Sequence, residues 1–279
     1  MKMNLSLGLL AMACFMLPGA TFAQDYDYHP ALSDNLHASV GWFRSDNTFK
    51  FSVNDVNVDL PEIDLGNRVG VDETNSLLNV QLRWNFGSEE QCSLWGQYFK
   101  NKASGDAVLQ EDVEWRDVIF REGSFVEAGT SLEVIRLFAG YSFIKNAQSE
   151  LGVGFGIHNL DIGAYVEGEI LINDTDTGFH RGDASASAPL PNLGAWYLYS
   201  PAKDWLLHAR VDWISADVGD YDGTMWNANV GVDYRLFRNF GLDVSYQYFN
   251  LDVGVDNSDW KGSASLTYSG PVISLTASW

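Results

Sequence analysis

The sequence predicts an all-β fold, a transmembrane antiparallel up-and-down β-barrel of about 10 strands, and three observations carry that expectation. Segments of about ten residues alternate apolar and polar positions, as strands with one apolar and one polar face require. Aromatic residues gather beside the tightest turns, where a membrane interface would hold them. Short turns alternate with long connections along the chain, which is the rhythm of a barrel with one plain end and one elaborated end.

Composition supports this class and removes others. With 46% hydrophobic and only 19% charged residues in 279, the chain is neither disordered nor collagenous. Lys plus Arg number 17 against 37 Asp plus Glu, a net charge of -20, so no positive field exists to hold nucleic acid.

The elements follow in chain order. Residues 1–23 begin with Lys2, run apolar from Leu5 to Leu17 and close on Thr21, Phe22 and Ala23, a signal peptide cleaved after Ala23. Met12, two residues before Cys14, argues against a lipidated cysteine. Cys14 leaves with the leader, so Cys92 stands alone and no internal disulfide forms. Residues 24–279 then form a single barrel domain whose long extracellular loops include 54–75, 103–129 and 166–188.

The first strand spans 36–53. In the second, Leu78, Val80, Leu82, Trp84 and Phe86 oppose Asn79, Gln81, Arg83 and Asn85. Short turns fall at Gly87 to Glu90, Lys145 to Ser149, Ser200 to Asp204 and Phe237 to Asn239, and are expected to be periplasmic. Later strands repeat the pattern. Trp205, Leu207, Ala209, Val211 and Trp213 oppose His208, Arg210 and Asp212; Trp226 to Leu236 on even numbers oppose Asn227 to Arg235; Phe240 to Tyr248 oppose Gly241, Asp243, Ser245 and Gln247. Beside the turns stand Trp84, Phe86, Tyr141, Phe143, Tyr197, Tyr199, Trp205, Tyr234, Phe237 and Phe240. In residues 259–279, Ala264, Leu266 and Tyr268 are expected outward on even numbers and Ile273, Leu275, Ala277 and Trp279 outward on odd ones. That change of parity implies a β-bulge or a tight hairpin at Gly270-Pro271. Splitting the first and last segments into hairpins would give 12 strands.

A strand protein in lipid must pair every edge, so the barrel closes. About ten strands leave a lumen slightly wider than side chains fill in the eight-stranded case. Arg83, Arg136, His208, Arg210, Asp212, Asp233, Arg235 and Asp243 are assigned to it as a charge network, with Gly152, Gly154, Gly156 and His158 on one strand. In a narrow barrel that set reads first as a structural network and second as an ion-selective constriction.

Other candidates weigh less. His158 with Asn159, Asp161 and Glu167 suggests a hydrolase acting on lipid A or surface peptides, but no serine stands near it in sequence. The plainer reading is a hydrogen-bonded lumen histidine. Asp217, Asp220 and Asp222 with Gly223, and Asp252, Asp256 and Asp259, offer hard oxygen ligands without the ordered spacing of a calcium loop, so solvated acidic loops are the plainer reading. Cys92 reads as a small packing residue. No phosphate loop or metal-spaced His/Cys set is present, and no cofactor or metal is expected.

The stretch from Ser142, SFIKNAQSELGVGFGIHNLDI, the later NVGVDYRLFRNFGLDVSYQYFNLDV and the terminal DWKGSASLTYSGPVISLTASW resemble a mostly uncharacterised family of proteobacterial outer-membrane β-barrel proteins. The general plan is similar to small OmpA-like and OmpW-like barrels. The closing Ser274 to Trp279, an alternating strand ending on an aromatic, resembles the signal read by barrel-assembly machinery. The resemblance implies the outer membrane of a Gram-negative bacterium, with periplasmic chaperones and that machinery as partners during biogenesis and outer-membrane lipids and lipopolysaccharide thereafter. It brings no activity or site residues. The expected role is a non-enzymatic, monomeric structural or surface-interaction barrel, the alternatives being a narrow porin-like channel and an outer-membrane hydrolase.

Overall fold

The computed structural model describes residues 28–54, 63–64, 74–109, 113–115, 118–120, 122–172, 176–218, 221–256 and 261–279. The expected signal peptide, residues 1–23, and most of 54–75 lie outside the described residues. Among the described residues thirteen strands occur in order: β1 (Leu36–Asn54), β2 (Ile63–Asp64), β3 (Thr74–Phe86), β4 (Cys92–Val108), β5 (Val113–Trp115), β6 (Val118–Phe120), β7 (Phe125–Lys145), β8 (Ser149–Ile172), β9 (Asp176–Ala202), β10 (Trp205–Val218), β11 (Tyr221–Arg235), β12 (Phe240–Asp256) and β13 (Lys261–Ser278). Three are accessories: β2 lies on β1, and β5 and β6 pair with each other. The other ten form one closed antiparallel barrel, each paired with its sequence neighbour and β13 returning to β1. Reciprocal backbone hydrogen bonds between Leu36 and Trp279, 2.8 and 2.9 Å, lock the seam at its end.

Alternation decides what each face meets. On β10 to β12 the residues with open surroundings are apolar: Trp205 and Trp213, Trp226, Val230 and Tyr234, Phe240, Val244 and Tyr248 are all exposed, while their odd or even neighbours point inward. Trp205 and Trp213 are eight residues apart, as are Trp226 and Tyr234, and Phe240 and Tyr248. Eight residues span about 27 Å along a strand, or about 21 Å along the axis at a tilt of roughly 40°. The two rows of rings therefore bracket an apolar belt of membrane thickness. Tilted ring pairs tie the rows laterally, with ring centroids 4.7 Å apart for Trp205 and Tyr234 and 6.1 Å for Trp213 and Trp226. The fold class is a transmembrane barrel, and the aromatics expected beside the short turns line one edge of its belt.

Two expectations change. The parity does not switch at Gly270-Pro271, because Leu266 and Tyr268 are buried inside the barrel, 1% and 0% exposed, on the same even-numbered face as Val272 and Ser274. The β12 ladder runs through Tyr246↔Pro271 and Gln247↔Gly270 without a shift, so neither bulge nor hairpin forms. Gly270 is required for a different reason. Its φ is +155°, and a Cβ there would sit 2.1 Å from the Arg44 carbonyl oxygen across the seam. The second change concerns loop length. Residues 166–172 and 176–188 continue the β8–β9 ladder, and β4 and β7 stay paired to Val108 and Phe125. A strand that has left the membrane needs no apolar outer face, so its polar sequence reads as loop.

Candidate functional site

The lumen divides into layers. Toward the end opposite the short turns apolar side chains predominate: Phe43, Phe49, Phe99, Leu132, Met225, Phe249, Leu266 and Tyr268, from six different strands, form one buried cluster, with Asn47, Asn101 and Thr130 buried at the same level. Phe49 meets Tyr268 edge-on at 5.4 Å and Phe99 meets Phe249 at 6.0 Å. These side chains occupy inward positions of the alternation, where sequence reading expected polar residues, and their cluster is called the septum below.

Below the septum lies the charged layer. Arg136 and Asp212 are both 0% exposed and form a two-pronged pair, Nε to Oδ2 at 2.6 Å and Nη2 to Oδ1 at 2.7 Å. The Arg136 guanidinium also lies over the Phe138 ring at 4.3 Å. Buried charge is tolerated only in such satisfied geometry. His158 sits beside the pair: Asn227 Nδ2 donates to its Nε2 at 3.0 Å, leaving Nδ1 to donate to Asn192 Oδ1 at 3.2 Å. Gln247 in turn donates to Asn227. The partners of His158 are thus amides, in a ring-locking arrangement with no serine among them.

Arg83 pairs with Glu150, Nη2 to Oε2 at 2.6 Å, and lies over the Trp95 ring at 4.8 Å. Glu150 also accepts from Ser142 Oγ at 2.7 Å and Trp196 Nε1 at 2.8 Å. Trp196 lies flat against the wall because Gly152 leaves it room; a Cβ at Gly152 would come within 2.2 Å of the indole. Arg210 donates to Gln97 at 2.7 Å and stays 3.9 Å from Asp212. His208 Nε2 and Asp243 Oδ2 are 2.6 Å apart, Ser245 donates to the other Asp243 oxygen, and Thr276 donates to Asp233 at 3.0 Å. Asp233 and Asp243 face each other across the β11–β12 ladder.

Seven of the eight assigned lumen residues therefore lie inside in this layer. Arg235 stands apart at the short-turn mouth, paired with Asp204 at 2.7 Å. Glu150 was missed, because a lone acid beside a turn gives no signal of its partner 67 residues away.

The short-turn mouth is filled by the chain's own N-terminal segment. Residues Pro30–Leu32 form a single 3-10 turn, and Ala31 and Leu32 are buried against Phe138, Trp196, Leu198 and Leu206. His29 caps it, its Nδ1 accepting from the Ala31 amide, while its own backbone N–H donates to Ser200 Oγ at 2.9 Å. Burial holds the His29 imidazole well below its ordinary range, at about 4, with the Arg235 charge adding to the effect and Asp204 opposing it. Pro at the first helical position and a cap before it are visible in the sequence, yet nothing there tells a mouth-filling turn from a tail.

Asp217 and Asp222 pair across the β10–β11 ladder and Asp252 accepts from Ser265, whereas Asp220 and Asp259 lie outside the described residues. Among the described residues no group of three His, Cys, Asp or Glu side chains converges to hold a metal ion. Cys92 is free and half-buried at the start of β4.

No protein-family model and no curated protein matches this chain. Among solved structures, the outer membrane protease OmpT from Escherichia coli has a similar fold, with a TM-score of 0.57 at 10% identity over 88% of this chain and 97% of that chain. Looser likenesses include the Ralstonia pickettii toluene transporter TbuX, at TM-score 0.37 and 10% identity over 88% of this chain and 90% of that one. The attachment invasion locus protein Ail of Yersinia pestis has TM-score 0.28 and 11% identity, covering 86% of this chain and 98% of that one. At these identities the likeness concerns barrel architecture alone.

Proposed function

We propose that this protein is an outer-membrane barrel of a Gram-negative bacterium whose lumen is sealed, and that it acts as a scaffold presenting the end opposite its short turns to the outside. The observation that carries the reading is the combination of an exposed apolar belt with a lumen filled at two levels. The belt requires lipid around the barrel. The buried cluster that includes Phe43, Phe49, Phe99, Phe249 and Tyr268 fills much of this level of the lumen with apolar side chains, which weighs against the channel alternative. The charged layer then serves as a structural network, because each Arg–carboxylate pair in it is buried and two-pronged or shared. The hydrolase alternative loses its motive as well, since His158 is held by Asn192 and Asn227. Lipopolysaccharide and outer-membrane lipid would be its surroundings, and barrel-assembly machinery its partner during insertion.

Orientation and surface display are tested together by cysteine labelling in a Cys92→Ser background. Asp183 projects from the extended β9 and Ser88 from a short turn, and both are exposed. With a membrane-impermeant maleimide, Asp183→Cys is expected to label in intact cells and Ser88→Cys only after the outer membrane is opened. The reverse pattern, or labelling of neither in a folded barrel, would contradict the reading.

A further inference from the structure

The outer ring of the belt changes character around the barrel. On β10, β11 and β12 it is aromatic: Trp213, Trp226 and Tyr248 stand eight or nine residues from the short-turn ends of their strands. Arg44, Leu78 and Lys100 stand eight residues from the short-turn ends of β1, β3 and β4, so two cations share that level. Arg44, Lys100 and Lys102 are exposed on the outer face, and so are the apolar Trp42 and Leu78 beside them. The register draws these side chains together. Trp42 pairs with Leu78 and Arg44 with Ser76, and the β3–β4 ladder runs to Asn79↔Phe99, which sets Lys100 beside Leu78 with Lys102 next above it. With neighbouring strands about 4.8 Å apart, β1 and β4 are about 10 Å apart here, a span that long cationic side chains bridge around one anion.

Two carboxylates stand at the margin: Glu133 of β7 pairs with Lys100, and Asp46 follows Arg44 on the same face of β1. Elsewhere at and above this level the exposed charges of β8 to β12 are Asp161, Asp183, Asp222 and Asp252 against Arg181. In a chain with a net charge of -20, cations gathered on β1 and β4 are the exception. Cations beside exposed apolar side chains at the edge of a lipid belt fit a lipid that carries phosphate, because the acyl chains and the anion are then both matched. We propose that the outer face of β1, β3 and β4 binds a phosphorylated glycolipid of the outer leaflet, its phosphate on Arg44, Lys100 and Lys102 and its acyl chains along Trp42 and Leu78. Guanidinium and ammonium groups give phosphate oxygens charge-assisted hydrogen bonds. The site rests on the orientation proposed above, since only then does this level of the wall meet the outer leaflet. Cysteine labelling tests that orientation and binding in detergent does not depend on it, so the two fail separately.

The test is native mass spectrometry of the detergent-solubilised barrel, its closure checked by heat-modifiable migration, with bisphosphorylated lipid A and with the same lipid dephosphorylated. A one-to-one adduct is expected with the phosphorylated lipid, with affinity at least about tenfold weaker for the dephosphorylated one and for the triple variant Arg44→Gln, Lys100→Gln, Lys102→Gln. Arg181→Gln, which removes an exposed cation from another part of the wall, is expected to bind as the unaltered protein does. No adduct, equal affinity for the dephosphorylated lipid, unchanged binding by the folded triple variant, or an equal loss in Arg181→Gln would each overturn the proposal. Displacement of the lipid by equimolar inorganic phosphate would also overturn it, by assigning the site to the free anion. The lipid comparison needs no variant, so the test stands even where the triple variant fails to fold.

Discussion

Arg136 and Asp212 stand on strands separated by two others, β7 and β10, and meet in a two-pronged pair 0% exposed to solvent. The pair bridges the β8–β9 ribbon on its inner side and ties together a stretch of wall that backbone ladders connect only stepwise. Removing one partner leaves the other charge buried and unmatched. Asp212→Ala is expected to cost about 3–5 kcal/mol, whereas the double replacement Arg136→Met with Asp212→Leu costs far less. Urea midpoints of the refolded barrel, followed by tryptophan fluorescence, separate the two outcomes.

Trp196 depends on a residue with no side chain. A Cβ at Gly152 would meet the indole at 2.2 Å, so Gly152→Val forces the ring off the wall and away from Glu150. A loss of about 1–3 kcal/mol is expected, with a red shift of tryptophan emission. Gly96, whose Cβ position is open, serves as control: Gly96→Ala leaves emission unchanged.

The docked N-terminal turn is expected to weaken in acid. His29 titrates at about 4 in place and at 6.5 when ordinary, so the docked form binds fewer protons than the undocked form between those values. Its contribution is complete above about pH 6.5 and is lost as pH falls toward 4. Limited proteolysis at Ala31–Leu32 should accelerate over that window in the wild type and show a flattened profile in His29→Gln.

The belt makes its own prediction. Val230 is 59% exposed midway between Trp226 and Tyr234. Val230→Arg is expected to lower the unfolding free energy in lipid bilayers by about 2–4 kcal/mol, and the same change at exposed Ser187, beyond the belt, by about 0–1. Equal costs at the two sites would mean that the belt is misplaced.

How much of this was legible follows from what alternation can and cannot say. Trp226 to Leu236 and Phe240 to Tyr248 face outward as their period of two requires, and the short turns fixed ten strands. Leu266 and Tyr268 misled, because an apolar residue in a barrel strand is assigned to lipid unless something else is known to fill the lumen. The septum is such a filling, and it is written at positions scattered over six strands that no local window compares. The same holds for Arg83 with Glu150: each was visible, but their meeting depends on barrel closure. The N-terminal turn lay in a stretch with neither period, where burial comes from Phe138 of β7, Trp196 and Leu198 of β9 and Leu206 of β10.

The central claim is a sealed lumen, and single-channel recording in planar bilayers tests it most directly. Protein whose heat-modifiable migration confirms closure is predicted to produce no conductance steps, while a variant with Phe99→Ala, Phe249→Ala and Tyr268→Ala opens measurable ones if it retains that migration. Stable, ion-selective steps from the unaltered barrel would contradict the account and place the charged layer in a conducting path.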